Sequence, residues 1–135
     1  IIKNWTYFPI VSAMAGTHGN AIHVSNALTA IYLATGQDTA CVAENSIGHF
    51  TIEKVDDGIT WRLTLPSLTV GTVGGGTRLN QQQQNLQLLG CDNGEHTSRK
   101  LAEIIAAAAL GLEISLGSAI MSHTWTSAHM KYGRK

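Results

Sequence analysis

The feature that most constrains the fold is the apolar stretch LAEIIAAAALGLEISLGSAIM, residues 101–121. Its length suits a membrane span, but Glu103 and Glu113 lie inside it. A carboxylate near the bilayer centre costs about 2.5 to 3.5 kcal/mol, and alanine and glycine offset that cost poorly. We therefore predict a helix of a soluble protein that begins near Ser98 as its N-cap and runs to the region of His123. Because it is apolar on nearly every side, we expect it inside a core or an interface.

The composition also indicates extensive burial. The 135 residues are 44% hydrophobic and only 13% charged, about half the usual charged fraction. Nine basic and nine acidic side chains cancel, so electrostatics give no support to nucleic acid or an anionic membrane as a partner. Cys41 and Cys91 lack CxxC spacing, which favours free thiols in a reducing compartment over a single bridge. The chain begins with Ile1 without a signal peptide pattern, and we interpret it as part of a longer protein.

The remaining segments predict a mixed fold. Apolar spacing over residues 20–34, with Gly36 just beyond, predicts a helix on which His23 and Asn26 share a face. FTIEKV and ITWRLTL flank an Asp-Asp-Gly turn and predict an antiparallel hairpin with alternating burial. Asn80 is the expected N-cap of a short helix through QQQQNLQLL. We predict an α+β arrangement in which helices pack on a small antiparallel hairpin.

The loop GTVGGGT, residues 71–77, contains four glycines directly after a strand-like segment. Its spacing is not the GxGxxG of a dinucleotide fold, and Arg78 stands where a P-loop has Lys-Ser/Thr. Taken alone, the loop is either a tight turn or a ligand loop whose backbone N–H groups approach an anion without obstruction by Cβ atoms.

Two titratable side chains have both a structural and a functional interpretation. Asp38 follows the helix-ending glycine, so it either bonds its own turn or is a carboxyl tuned for acid/base work. His129, near the chain end, is either a solvated histidine or a proton donor. The other histidines outside the first predicted helix are interpreted as structural. The sequence has no HxxxH, HExxH or Cys/His cluster, so no metal site is predicted.

Four motifs occur together in an order that is typical of one family. They are SAMAG (12–16), HVSNALTAIYLATGQD (23–38), LPSLTVGTVGGGT (65–77) and HMKYGR (129–134). The chain resembles the C-terminal part of the large domain of the class I 3-hydroxy-3-methylglutaryl-coenzyme A (HMG-CoA) reductases. The likeness implies one partial domain over residues 1–135, of which 1–10 are atypical and include Lys3 as a candidate for the family's substrate-binding lysine.

The resemblance also implies a set of site residues. Asp38 corresponds to the family's catalytic aspartate and His129 to its general acid. His23 and Asn26 correspond to residues that contact substrate. The glycine loop corresponds to a segment along the nicotinamide cofactor, and the long helix to one that offers an apolar face to the acyl-CoA. The residues implied for the cofactor are Thr72, Val73, Gly74, Gly75 and Gly76, and those for the acyl-CoA are Leu116, Ala119 and Ile120.

The implied reaction reduces the HMG-CoA thioester to mevalonate and free coenzyme A, with NADPH, or alternatively NADH, as reductant and without a metal. The implied enzyme is a homo-oligomer, a dimer or a tetramer of dimers, with active sites between subunits. It is cytoplasmic, and any membrane anchor lies outside this chain. The alternative is a catalytically incomplete module for binding or dimerisation.

One further match to the family concerns Glu44, which we do not assign to the catalytic centre. Residues 44–48 read ENSIG, like the family's catalytic glutamate motif, but that motif lies far upstream of the aspartate. We interpret Glu44 as a residue that leads into the first strand. The family's catalytic glutamate, its DKK lysine and its DAMGMN cofactor motif are absent from these residues, so we expect the isolated chain to be inactive.

Overall fold

The computed structural model describes the chain from residue 2 to residue 133, and its side chains from residue 7 onwards. The Lys3 side chain and Arg134 lie outside these described residues. The predicted α+β class is confirmed, since the chain combines helices with a two-stranded antiparallel sheet. The elements in chain order are α1 Ile2–Met14, α2 Val24–Thr35, α3 Val42–Asn45, β1 His49–Val55, β2 Gly58–Thr64, α4 Asn80–Leu88, α5 Thr97–Met121 and α6 Thr124–Tyr132.

The hairpin forms where the sequence predicts it. β1 and β2 pair antiparallel from His49 with Thr64 to Val55 with Gly58, so the acidic turn has two residues. The Phe50 and Trp61 rings stack at 5.6 Å between centroids. Trp61 is half-buried, but Ile59 is 45% exposed. The alternating burial predicted for β2 therefore fails beside the turn, because the end of the hairpin extends beyond the packed helices.

The core lies between α2 and α5, with α4 packed beside α2. α2 buries Val24, Leu28 and Tyr32 on one face, and α5 buries Leu101 and Ile105 opposite them. These positions recur every fourth residue, which is the spacing of one helical face. Leu86 of α4 closes the same cluster. The core thus holds the long helix against the segment that ends at Gly36.

The long helix is buried on one side only. Its buried positions follow every fourth residue, and they are Leu101, Ile105, Ala109, Glu113 and Gly117. Other apolar positions, such as Ile120 at 43%, retain exposed surface. α5 is the one helix among the described residues that is long and apolar enough to cross a membrane, but the core helix of a soluble protein passes the same test. The described residues therefore bury one face of α5, and burial of its remaining apolar surface in an interface stays a prediction.

α2 begins later than the predicted residue 20. The Asn20 side chain donates to Phe50 O and accepts from Phe50 N, both at 2.8 Å, and so extends the edge of β1. These bonds hold Asn20 against β1, so Asn20 does not take part in the first turn of α2. The first N–H groups of α2 bond to Glu113 on α5. Tertiary contacts therefore set the start of this helix at Val24.

Two predicted N-caps are displaced. α5 begins at Thr97, with His96 at the cap position in the left-handed region (φ 60°), so Ser98 lies inside the helix and the predicted cap is wrong. The Thr97 hydroxyl is hydrogen-bonded to the Thr72 hydroxyl at 2.7 Å, which links the helix start to the glycine loop. α4 begins at Asn80 itself, with Leu79 at the cap position. The predicted helices form, but their first turns are fixed by other contacts.

Both cysteines are free thiols. Cys91 is completely buried in the core, and desolvation raises its pKa. Cys41 is half-buried. Its pKa is raised by desolvation and then by the neighbouring carboxylates of Asp38 and Glu44. Both thiols are therefore mainly protonated at neutral pH and are weak nucleophiles.

Candidate functional site

Asp38 lies just beyond the C-terminal end of α2. Gly36 ends the helix in the left-handed region (φ 71°), and its N–H donates to Tyr32 O. The exposed Asp38 side chain accepts from the Ala40 N–H at 3.0 Å and caps a short 3-10 turn, Thr39–Cys41. Asp38 thus bonds its own turn, which is the structural one of its two interpretations. This turn leaves the carboxylate exposed beside a cleft.

The glycine loop is ordered by its own contacts. The Thr77 hydroxyl and the Thr77 N–H both donate to Gly74 O. Gly74 and Gly75 adopt positive φ values of 85° and 55°, which only glycine adopts readily. A Cβ added at either glycine would meet nothing within 4 Å. Because this chain leaves the space above both residues open, a ligand is able to approach their backbone closely.

Two contacts bring the loop and the aspartate together. The Gln37 side chain donates to Gly71 O and accepts from Gly71 N, both at 2.8 Å. At the other end of the loop, Gly36 packs directly on the backbone of Gly76. Asp38, Gln37, Gly75 and Gly76 consequently line one cleft of about 500 Å³. The structure therefore joins two motifs that are far apart in the sequence.

The Gly36–Gly76 contact predicts a sensitive position. In Gly36→Ala, the new Cβ would overlap the Gly76 carbonyl group, and the left-handed conformation itself costs about 1–2 kcal/mol for alanine. We expect the free energy of unfolding to fall by about 2–3 kcal/mol, since the Gly76 backbone must also move. Urea denaturation followed by circular dichroism measures this change. Gly58→Ala is the matched control, because a Cβ there meets nothing and φ is not positive; equal losses in the two variants would contradict the prediction.

A buried polar network lies behind this cleft. The Tyr32 hydroxyl donates to Thr69 O at 2.6 Å, and Asn45 Nδ2 donates to the Tyr32 oxygen at 2.7 Å. Desolvation raises the pKa of Tyr32, so its hydroxyl remains a donor. The network ties α2 and α3 to the segment that enters the glycine loop. Periodicity alone does not identify it, because Tyr32 and Asn45 read as ordinary helix residues.

His23 and Asn26 lie at the opposite end of α2 from Asp38. Their side chains are in contact, with Asn26 Nδ2 3.1 Å from His23 Nδ1. An amide N–H₂ group only donates, so this contact makes Nδ1 the acceptor and leaves the proton of the neutral ring on Nε2. The shared face predicted for the two residues is confirmed. Asn26 lies nine residue steps before Thr35, the last residue of the helix, so the helix places about 14 Å between Asn26 and the end that leads to Asp38.

Glu113 is a buried acidic residue for which the sequence predicts no functional role. Its side chain is 1% exposed, and Oε1 accepts from the N–H groups of His23 and Val24, the latter at 3.1 Å. A negative charge at a helix N-terminus is stabilised by the unpaired N–H groups and the helix dipole. Oε2 has no hydrogen-bond partner among the described residues. The signal in the sequence is a carboxylate within an apolar helix, which argues against a membrane span but does not by itself identify the partner of Glu113.

His129 lies on the last helix, α6, which packs against α5. Its Nδ1 is 2.8 Å from Trp125 O, and its ring lies 4.1 Å from the Trp125 ring between centroids. A carbonyl oxygen only accepts, so Nδ1 carries a proton and Nε2 is the nitrogen free to exchange one. The exposed ring lines a second cleft with Ala128 and Tyr132, apart from the Asp38 cleft.

The apolar set on α5 keeps partial exposure. Leu116 and Ala119 are half-buried and Ile120 is 43% exposed, whereas Gly117 on the adjoining stripe is buried. This set therefore lies at the edge of the face that packs against the core. Among the described residues, no three His, Cys, Asp or Glu side chains converge in a way that would hold a metal ion.

Comparison with known proteins bears directly on this arrangement. The family model for hydroxymethylglutaryl-coenzyme A reductase matches residues 2–134. The chain belongs to this family. It is 43% identical over 133 residues to the 3-hydroxy-3-methylglutaryl-coenzyme A reductase of Methanocaldococcus jannaschii, covering 98% of this chain and 32% of that protein. It is 46% identical over 127 residues to the reductase of Aeropyrum pernix, covering 91% and 30%, and 47% identical over 132 residues to reductase 2 of Gossypium hirsutum, covering 91% and 21%.

The chain thus spans about a third, or less, of the length of these reductases. Glu44, which resembles the reductase family's glutamate motif, lies in α3 and leads into β1. This location agrees with the interpretation of Glu44 as a structural residue.

Proposed function

We propose that this chain forms the C-terminal part of the large domain of an HMG-CoA reductase. The intact enzyme carrying it would reduce the HMG-CoA thioester to mevalonate and coenzyme A. The observation that carries the proposal is the shared cleft of Asp38 and the glycine loop, held together by the Gln37–Gly71 and Gly36–Gly76 contacts. Residues 1–135 are then one partial domain.

The cleft fits a nicotinamide cofactor on the loop side. Gly75 and Gly76 line the cleft with backbone alone, and Gly74 and Gly75 leave open space where Cβ atoms would otherwise stand. Thr72 and Val73 line a separate recess together with Arg78, and we assign Thr72, Val73, Gly74, Gly75 and Gly76 to the cofactor. NADPH, or NADH as the alternative, would supply hydride. The role of this chain is to hold the loop beside Asp38, which gives the reacting carbon and the proton source a fixed separation.

Asp38 and His129 divide the acid/base work in this proposal. Negative charge develops on the thioester oxygen as hydride arrives, and Asp38 takes part in meeting it with a proton. Collapse of the hemithioacetal releases a thiolate. An imidazolium with a reference pKa of about 6.5 donates favourably to a thiolate whose conjugate acid has a pKa of about 8.5. His129 Nε2 is the exchanging atom because Nδ1 is engaged by Trp125 O.

The substrate contacts are assigned to the start of α2, which bonds to Glu113, and to the part of α5 that follows Glu113. The paired His23 and Asn26 side chains present an Nε2–H donor and an amide to the acyl portion. Leu116, Ala119 and Ile120 offer a partly exposed apolar surface to the coenzyme A portion. No metal takes part in this scheme.

The exposed apolar surface supports an oligomer. Met14 is 83% exposed on α1, and Met130 and Tyr132 are 78% and 77% exposed on α6. Surface of this kind is typical of protein–protein contacts, and we propose a homo-oligomer with active sites between subunits and a cytoplasmic location. The same surface favours the second candidate function, a binding or dimerisation module, for the chain in isolation.

The stoichiometry of the reaction tests this function. We expect the intact enzyme carrying this chain to oxidise two NADPH for each coenzyme A thiol released, because thioester to alcohol is a four-electron reduction. Absorbance at the nicotinamide band and a thiol reagent measure the two quantities together. A ratio of one, or no HMG-CoA-dependent oxidation, would contradict the proposal. The isolated 135-residue chain is the control, and we expect it to be inactive.

A further inference from the structure

The Gln37 side chain makes a double contact with the first residue of the glycine loop. Its Nε2 donates to Gly71 O and its Oε1 accepts from Gly71 N, each at 2.8 Å. A third bond, from Nε2 to Thr35 O at 3.2 Å, holds the amide to the end of α2. Rotation of the amide by 180° would break the first two bonds together, so its orientation is fixed by its partners.

The double contact occurs at the point where the glycine loop begins. A Cβ added at Gly71 would meet nothing within 4 Å, so side-chain packing does not hold this residue. The loop is also attached through the Thr72 hydroxyl to Thr97, and through Gly76 to Gly36. Between these attachments the exposed Val73 and the positive-φ glycines face open space. The Gln37 side chain therefore joins the start of the loop by hydrogen bonds to the segment that carries Asp38.

We infer that Gln37 is a positioning residue that fixes the glycine loop relative to the adjacent Asp38. This inference rests on the proposed function, since it assigns the loop to the nicotinamide side of the reaction. Gln37 acts through the backbone of Gly71 and needs no contact with the reacting atoms. A misplacement of about 1 Å at a reacting centre is able to cost about 100-fold in rate.

Gln37→Met tests the inference because methionine has a similar length but neither donates nor accepts strongly. In the intact enzyme, we expect kcat/KM for NADPH to fall about 10- to 100-fold. We expect the KM for the acyl-CoA to stay within about twofold, because His23 and Asn26 lie at the other end of α2. Gln81→Met is the matched control, since the exposed Gln81 side chain bonds, among the described residues, only to Asn85, at 3.5 Å. A rise of about tenfold or more in the KM for the acyl-CoA in Gln37→Met would indicate a general structural role and overturn the inference.

A second measurement does not depend on catalysis. Hydrogen exchange of the intact protein reports protection of the Gly71 amide, which donates to Gln37 Oε1. We expect faster exchange over residues 71–77 in Gln37→Met and unchanged exchange in Gln81→Met. Unchanged loop exchange would overturn the inference even if the enzyme is active. If wild type lacks reductase activity while the loop loses protection, the proposed function fails and the attachment itself stands.

Discussion

Replacement of Asp38 by asparagine is expected to lower kcat of the intact enzyme by about 100- to 10,000-fold, the usual range for loss of a general acid/base group. Asparagine keeps the oxygen that accepts from the Ala40 N–H, so the turn that carries the residue is preserved. It carries no exchangeable proton of suitable acidity. The KM for NADPH is expected to change by less than about fivefold, because the loop contacts involve Gly36 and Gln37 rather than the carboxylate.

The control for this variant is Asp57→Asn, which neutralises an exposed carboxylate in the hairpin turn. A kcat within about threefold of wild type is expected there. Cys41 gives an independent readout of the Asp38 charge, since that charge contributes to the raised pKa of the thiol. Its removal lowers the thiol pKa, so Cys41 should react faster with iodoacetamide at neutral pH. Faster alkylation with unchanged kcat would show that Asp38 is charged but not catalytic.

Replacement of Glu113 by alanine is expected to destabilise the folded protein by about 3–5 kcal/mol. The change removes a buried side chain from the α2–α5 contact, for which a loss of about 2–5 kcal/mol is usual. It also leaves the N–H groups of His23 and Val24 without their acceptor, at a cost of about 1–3 kcal/mol for an unpaired buried group. Removal of a buried charge offsets part of this sum.

Denaturant unfolding gives the global effect of this change, and hydrogen exchange at His23 and Val24 gives the local one. Glu113→Gln keeps an oxygen for both N–H groups, so we expect a smaller loss of about 1–2 kcal/mol. Glu103→Ala is the control, because Glu103 is exposed on the same helix and its loss should change stability by less than about 0.5 kcal/mol. A loss in Glu113→Ala no larger than in Glu103→Ala would contradict the role of Glu113 as the acceptor for α2.

The sequence predicts the elements of this fold better than their ends. Alternating apolar residues and a two-residue acidic turn are local signals, so the hairpin forms as predicted. The start of α2 depends instead on the Asn20 amide and on Glu113, which come from β1 and α5 contacts. Such partners are distant in the sequence and leave no local pattern. The same reason explains why His96, and not Ser98, precedes the long helix.

The candidate site is likewise predicted only in part from the sequence. The Asp38 segment and the glycine loop are visible as motifs, but each has an ordinary structural interpretation on its own. Their spatial connection through Gln37 and Gly76 appears only in three dimensions. The orientation of the His129 ring follows instead from a local contact with Trp125, one turn earlier on α6, which the motif does not specify.

The contact between Gly36 and Gly76 has a consequence for the order in which the molecule folds. The whole hairpin lies between these two residues in the sequence, so the contact closes a long loop of chain. The entropic cost of closing such a loop must be met before the contact stabilises the chain, whereas helix and hairpin contacts are local. The helices and the hairpin should therefore form early, and the cleft beside Asp38 should be among the last parts of the native structure to assemble.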